Sequence, residues 1–335
     1  MTREIVLKDK EEALKLLGCN GEFRRRLQSE VPVRIVDRGQ RVALIGKNED
    51  VAVISGLLNE MLTVIRRGHE PSSSDFEYAL AEARNSDVDG LSDALADVVV
   101  VSRKGTVVRP RTRGQSRYVQ VMRSHDIVFS IGPAGTGKTY LAMAMALSAL
   151  TRHEVARLVL CRPAVEAGES LGFLPGDLER KVNPYLRPLY DALHDMVGVS
   201  QLERYVDRDM VEIVPLAYMR GRTLSNAFVV LDEAQNTTHA QMKMFLTRLG
   251  RESKTVITGD VTQIDLPPDR KSGLVEAAEI LTDTEGIAFV HLTKRDVVRH
   301  KLVQDIIGAY EVQEKNDLSR RRSGSADDDC GADRR

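Results

Sequence analysis

Apolar and polar positions keep two different rhythms along this chain. In the first hundred residues, short alternating runs are mixed with short amphipathic ones. Residues 4–8 read as a strand, and 11–17 and 21–28 as helices. Residues 31–36 and 41–45 alternate as two strands joined by Asp37-Arg38-Gly39-Gln40, a composition suited to a hairpin turn. Val51, Ile54, Leu57, Leu58, Met61, Leu62 and Ile65 then recur at helical spacing. Pro71 and the serines after it break the pattern before a helix over 76–84. Residues 98–101 and 106–108 form a further hairpin pattern around Lys104-Gly105.

From Arg113 onward, buried-type strands alternate with helices. The strands fall at 127–131, 158–160, 212–216, 228–231, 255–258 and 287–292, and the clearest helices at 140–150, 240–249, 274–281 and 297–310. This alternation predicts an α/β domain with a mostly parallel sheet over 106–312, preceded by a small α+β domain over 1–105. Residues 313–335 carry Arg320-Arg321-Arg322 and Asp327-Asp328-Asp329 with almost no apolar side chain, so disorder is expected there. No internal repeat is visible.

Composition narrows the picture modestly. The chain has 335 residues, 29% of them charged, and a formal net charge of −1, so nucleic-acid binding would need a local patch. Arg103, Lys104, Arg109, Arg111, Arg113, Arg117 and Arg123 supply a candidate patch for phosphate-backbone contact, although such a run is usually a solvated face. Three scattered cysteines, Cys19, Cys161 and Cys330, have no metal-ligand or CxxC spacing, which fits a reducing, cytoplasmic setting. The N-terminus shows no signal-peptide run and no stretch has the length of a membrane span. Aromatics at 4% and no tryptophan weigh against many base-stacking platforms.

The chemistry concentrates in Gly132-Pro133-Ala134-Gly135-Thr136-Gly137-Lys138-Thr139, a G-x-x-x-x-G-K-[ST] run between a strand and a helix. Gly135 and Gly137 let successive backbone N–H groups turn toward phosphate oxygens. Lys138 offers a cation to the β- and γ-phosphates of ATP, and Thr139 a hydroxyl to Mg²⁺. Asp232-Glu233 ends an apolar strand. In an open α/β sheet this places Asp232 beside the phosphate loop to hold Mg²⁺ and Glu233 where it polarises water, an arrangement of hydrolases rather than small-molecule kinases. Asp260 and Gln263, in Gly259-Asp260-x-x-Gln263, end the next strand and suit either sensing of the γ-phosphate or orienting of the water. Gln235 and Asn236 add hydrogen-bonding capacity or are loop polarity. Gln115, with Tyr118 nearby, stands where an adenine-reading amide and a stacking ring could sit, or is an ordinary surface glutamine. Arg162, Arg220, Arg222, Arg295 and Arg299 are candidates for the positive charge on the γ-phosphate. Arg295 and Arg299 are favoured, contributed by a neighbouring subunit, since one P-loop domain provides no second domain across the cleft. Residues 162–176 combine glycines with an apolar tip and read as a loop pressing on a nucleic-acid strand or as a subunit contact.

Two resemblances attach to these residues. The N-terminal pattern resembles the K-homology type of RNA-binding module, but with no G-x-x-G clamp evident between two helices. The alternatives are a structural or an oligomerisation domain. From Gly132 to Thr139, through residues 162–176, 217–223 and 231–238, to Thr258-Gly259-Asp260, Gln263 and residues 295–300, the chain is similar to the PhoH family of bacterial P-loop ATPases. That resemblance implies a RecA-like core of the kind found in superfamily 1 helicases, with ATP and Mg²⁺ as cofactors and RNA-related work. It further implies a ring, such as a hexamer, and the shorter form of the family, without a PIN nuclease domain. For that form it implies a YbeY-type endoribonuclease as partner. A nucleotide-gated scaffold for such a partner, without strand separation, is the competing expectation.

Overall fold

The computed structural model describes residues 1–84, 92, 97–101, 107–163, 178–298, 303 and 306. The first strand, β1 (Thr2–Val6), lies two residues earlier than expected, because it pairs antiparallel with β3 (Arg41–Ile45) from Thr2↔Ile45 to Val6↔Arg41. Past Val6 the chain turns to other work. The Asp9 side chain caps α1 (Lys10–Leu17) by accepting from Glu12 N, and Glu12 accepts from Lys8 N. Helix α2 (Glu22–Glu30) follows, then β2 (Arg34–Asp37), which pairs with β3 to give the order β1-β3-β2. The long helix α3 (Asn48–Arg66) covers this sheet with Val51, Ile54, Leu57, Leu58 and Met61, all buried, and α4 (Ser73–Arg84) packs on α3.

One sequence reading is corrected here. A G-x-x-G does stand between two helices: Gly18-Cys19-Asn20-Gly21 joins α1 to α2. Assigning Gly21 to the second helix conceals it. In the structure Asn20 (φ 54°) and Gly21 (φ 68°) are both left-handed, so helix α2 cannot begin before Glu22.

A short antiparallel pair, β4 (Val100–Val101) and β5 (Val107–Val108), comes next. The turn expected at Lys104-Gly105 lies outside the described residues. Val99 and Val108 are buried in the core of the large sheet that follows, not in that of the small one. Helix α5 (Arg113–Ser124) is the element that the basic run disguises. Its arginines dominate the sequence, while Tyr118, Val119 and Met122 form the buried stripe.

The large sheet holds β6 (Ile127–Ile131), β7 (Arg157–Arg162), β8 (Val211–Pro215), β9 (Ala227–Leu231), β10 (Lys254–Gly259) and β11 (Ile287–His291). Its order is β11-β6-β10-β9-β7-β8 and every pairing is parallel. Helices cover both faces, as a parallel sheet requires. One face carries α5, α6 (Lys138–Thr151), α7 (Leu178–Val197) and α8 (Val199–Asp207); the other carries α9 (His239–Leu246) and α10 (Gly273–Leu281). The result is the expected α/β architecture, a six-stranded parallel sheet with helices on both faces, with a small α+β region before it. The consequence for chemistry lies in the order. β10 stands between β6 and β9, so Gly132, Asp232 and Asp260 leave three adjacent strands at the same edge. The expected helix over 297–310 and the tail 313–335 lie outside the described residues.

Candidate functional site: a phosphate loop backed by two acidic strand ends

The loop leaves β6 with Gly132 N donating to Gly259 O at 3.1 Å, which ties it to β10. Gly135 (φ 83°) and Gly137 (φ 77°) are left-handed, and Gly137 caps α6, so the loop closes directly onto a helix N-terminus. The buried Lys138 curls back, with Nζ donating to Gly132 O at 2.6 Å and Pro133 O at 2.8 Å. The Thr136 hydroxyl donates to Pro133 O at 2.8 Å. Two groups hold the loop from outside it. Asp260 Oδ2 accepts from Ala134 N at 2.9 Å. Gln115 Nε2 donates to Thr136 O at 3.0 Å, and its Oε1 accepts from Arg111 N at 2.7 Å. Gln115 is thus buried against the loop backbone, with both ends of its amide engaged. Tyr118 is fully buried, and its hydroxyl donates to Lys138 O at 3.3 Å. A ring with no exposed face cannot stack on a base, so the expectation for Tyr118 fails on burial. Burial also pushes the Tyr118 phenol well above its ordinary pKa, which leaves it a neutral donor.

The two acids at the end of β9 have different surroundings. Asp232 is buried, and its Oδ1 accepts from the Thr139 hydroxyl at 2.6 Å and the Thr258 hydroxyl at 2.8 Å. The first contact joins the phosphate loop to the carboxylate. Thr258 is a partner that sequence reasoning gives no role; only its place in the strand between the two could reveal it. Glu233 is half-buried in the left-handed region (φ 52°, ψ 39°), where a non-glycine residue is uncommon and costs of order 1 kcal/mol or more. Its carboxylate Oε2 accepts from Gln235 Nε2 at 2.6 Å. Gln235 is fully buried, accepts from Asp260 N at 3.0 Å and donates to Gln263 O at 3.1 Å. Glu233, Gln235 and Asp260 therefore form one connected chain that ends on the loop at Ala134. Asp260 Oδ1 meanwhile accepts from Thr262 N and its hydroxyl. Gln263 is exposed and enters the network through its backbone. Asn236 exchanges hydrogen bonds with Asp265 and braces the outer loop.

Of the candidate arginines, Arg162 reaches the acids from within the same chain. Its guanidinium lies 3.5 Å from Glu233 Oε1 and 4.0 Å from Asp232 Oδ2, and is steadied on Tyr185 O. Arg222 is held in a bidentate pair with Glu212, at 2.6 and 2.7 Å. Arg220 and Arg295 are exposed, and Arg299 and the loop 164–176 lie outside the described residues. Asp296, beside Arg295, accepts from the Thr112 hydroxyl at 2.6 Å and so locks the end of the sheet to the start of α5. The basic run is partly spent internally. Arg109 pairs with the buried Asp75 at 2.7 Å, and Arg123 forks onto Asp97 at 2.7 and 2.8 Å.

These residues fit a magnesium nucleotide. The left-handed glycines open the loop's N–H groups at a helix N-terminus, and a hydroxyl and a carboxylate are already in contact as a hard oxygen pair. Among the described residues no group of three His, Cys, Asp or Glu side chains could hold a metal ion unaided, so phosphate oxygens would complete the shell around Thr139 and Asp232. Cys161, on β7, has its thiol pushed up by burial and then by the Asp232 charge, and is chemically quiet. No helix among the described residues is long and apolar enough to cross a membrane.

Residues 107–311 match the family model described as PhoH-like protein. A PhoH-like protein of Bacillus subtilis (strain 168) is 50% identical over 307 residues, covering 92% of this chain and 96% of its own. One from Mycobacterium tuberculosis (strain ATCC 25618 / H37Rv) is 48% identical over 315 residues, covering 92% and 89%. Protein PhoH of Escherichia coli (strain K12) is 44% identical over 211 residues, covering 62% of this chain and 60% of its own. Among solved structures, a Sulfolobus solfataricus SWI2/SNF2 ATPase core in complex with dsDNA aligns at TM-score 0.29 and 15% identity over 44% of this chain and 31% of its own, too distant to bear on the site. The matches in sequence run through the phosphate loop, both acidic strand ends and, in the first two relatives, nearly the whole chain: this protein belongs to the PhoH family.

Proposed function

We propose that this protein binds ATP with Mg²⁺ at the loop Gly132–Thr139 and hydrolyses it, and that the energy is spent on RNA in the cytoplasm. The observation that carries the hydrolysis reading is the contact of the Thr139 hydroxyl with Asp232, with Glu233 next in the chain. When bound, the metal–nucleotide supplies the phosphoryl group and neutralises its charge. Asp232 and Thr139 hold and orient that charge. Lys138 exchanges its loop carbonyls for phosphate oxygens. Glu233, kept in place by Gln235, accepts the proton of the attacking water at its carboxylate. Asp260, through Ala134 N and Gln235, lets the loop and the base respond to one another. Arg162 gives the site a positive charge in cis, and Arg295 and Arg299 remain our proposed contributors in trans within a ring, such as a hexamer.

The RNA part rests on the family resemblance. The internal pairing of Arg109 and Arg123 favours a second reading, in which slow hydrolysis times the release of a protein partner such as an endoribonuclease. Steady-state hydrolysis of the wild type and of Glu233→Gln, with and without single-stranded RNA, tests both. Turnover should fall about 100-fold or more in the variant while ATP still binds. Unchanged turnover would remove Glu233 from its role. Stimulation by RNA supports the RNA reading; indifference to it supports the partner reading.

A further inference from the structure

The small N-terminal region presents a second glycine loop, outside the nucleotide site. We propose that Gly18-Cys19-Asn20-Gly21, with the basic start of α2, is a clamp for the sugar-phosphate backbone of single-stranded RNA; the choice of RNA over DNA rests on the function proposed above.

Four observations carry the inference. First, the elements run β1-α1-α2-β2-β3-α3 with the sheet order β1-β3-β2, and the G-x-x-G joins the two helices inserted between the first two strands. K-homology modules use a G-x-x-G in that position to grip about four nucleotides by their backbone. Second, the two glycines have different reasons to exist. A Cβ on Gly18 would meet Glu22 Cγ at 2.6 Å and the Phe23 ring at 2.9 Å, so Gly18 lets α1 and α2 close on one another. A Cβ on Gly21 would meet nothing closer than the Arg24 guanidinium at 3.4 Å, so its bareness serves no internal packing. Third, charge gathers at the loop. The Arg24 guanidinium lies over Gly21, and Arg25 Nη1 donates to Asn20 O at 2.6 Å. Arg26 instead turns to Glu30 and Glu77, at 3.2 and 3.6 Å. Glu22, the first residue of α2, carries the opposite charge and is exposed. Fourth, α2 packs beside β2, which is an edge strand of its sheet, and Arg34 on β2 is exposed. A strand of nucleotides passing over the loop would meet cations on the helix, and beside that helix an edge strand that pairs on one side only among the described residues. Cys19 and Asn20, at the loop tip, are exposed.

The test is fluorescence anisotropy of a labelled single-stranded RNA of about a dozen nucleotides, mixed in sequence, with the full chain and no ATP. The double variant Cys19→Asp/Asn20→Asp puts two negative charges against the phosphates at exposed positions, and Asp tolerates the left-handed backbone of Asn20. It should bind about tenfold or more weakly, with RNA-free ATP hydrolysis unchanged. Arg24→Gln should weaken binding and lower the slope of log affinity against log salt by about one. If the double variant does not fold, Arg24→Gln decides. Equal affinity in wild type and variants, no binding by the wild type, equal binding of a duplex, or tighter binding of the same sequence as DNA each overturns the proposal. Because no ATP is present, its failure is separate from that of the hydrolysis reading, which the Glu233→Gln experiment addresses.

Discussion

Two of the left-handed glycine loops among the described residues, Gly132–Thr139 and Gly18–Gly21, are supported in opposite ways. The loop Gly132–Thr139 is held from behind by its own protein. Asp260 takes its Ala134 N–H, Gln115 takes its Thr136 carbonyl, and the Lys138 ammonium folds onto its first carbonyls. The loop Gly18–Gly21 is closed by Gly21 N on Gly18 O and by Arg25 on Asn20 O, with Cys19 and Asn20 exposed at its tip. The difference follows the ligand proposed for each. A compact, multiply charged phosphate group needs donors fixed in advance, because any reorganisation at the moment of reaction adds to the barrier. A polymer backbone is gripped repeatedly and released, so it is better met by a shallow loop with cations at its rim. Glycine supplies the curvature in both; the depth of burial decides what the curvature is for.

Three experiments sharpen this contrast. The largest effect is expected at the buried loop. Thr139→Val keeps the side-chain volume but removes the hydroxyl that meets Asp232, and should lower kcat/KM for ATP by about 100-fold or more, read from hydrolysis across a Mg²⁺ titration. The Cys19→Asp/Asn20→Asp variant should show no such loss. Next is the link between the two regions. Asp75 is buried, Arg109 beside it is half-buried, and Asp75 also accepts from Ser72. Removing one partner by Arg109→Met strands a buried carboxylate, and should destabilise the protein by about 3 kcal/mol, measured by urea unfolding. A cost near zero would mean that water reaches the pair. The smallest effect concerns Glu12, which accepts from Arg66 and Lys8 N beneath the N-terminal sheet. The Arg66 hydrogen bond, chiefly, holds its carboxyl below the ordinary value of 4.5. A lowered folded-state pKa means that the stabilisation is complete above about pH 4.5 and fades as pH falls through the lowered value. Glu12→Gln should therefore cost about 1 kcal/mol at neutral pH and flatten the acid side of the stability profile, as read by thermal unfolding from pH 3 to 7. An unchanged profile would assign the acid response to other carboxylates.

The Gly132–Thr139 motif, the Asp232-Glu233 pair and the α/β alternation are legible in the sequence because each is local. A P-loop is contiguous, and strand and helix periods show within a dozen residues. Gly18-x-x-Gly21 is equally contiguous yet easily missed, since helical periodicity runs up to both sides of it and only the positive-φ backbone marks it, at Gly18 where the first helix ends and at Asn20 and Gly21, which delay the second. Burial reverses the expectation for Tyr118 and turns Gln115 toward the loop's backbone, because exposure is a property of packed neighbours rather than of spacing.

By itself, then, the sequence determined which segment is the candidate phosphate loop, which strand ends in acids and which stretches alternate. Only the tertiary structure decided that β10 lies between β6 and β9, and with it that Thr258 and Asp260 become partners of Asp232 and the loop. The same holds for Arg162, which ends β7, the strand beside β9, and so comes within 4.0 Å of both acids some seventy residues away in the chain. Strand order in a parallel sheet is set by how crossover helices pack on its two faces. That is a global balance of buried surface, and no single segment records it.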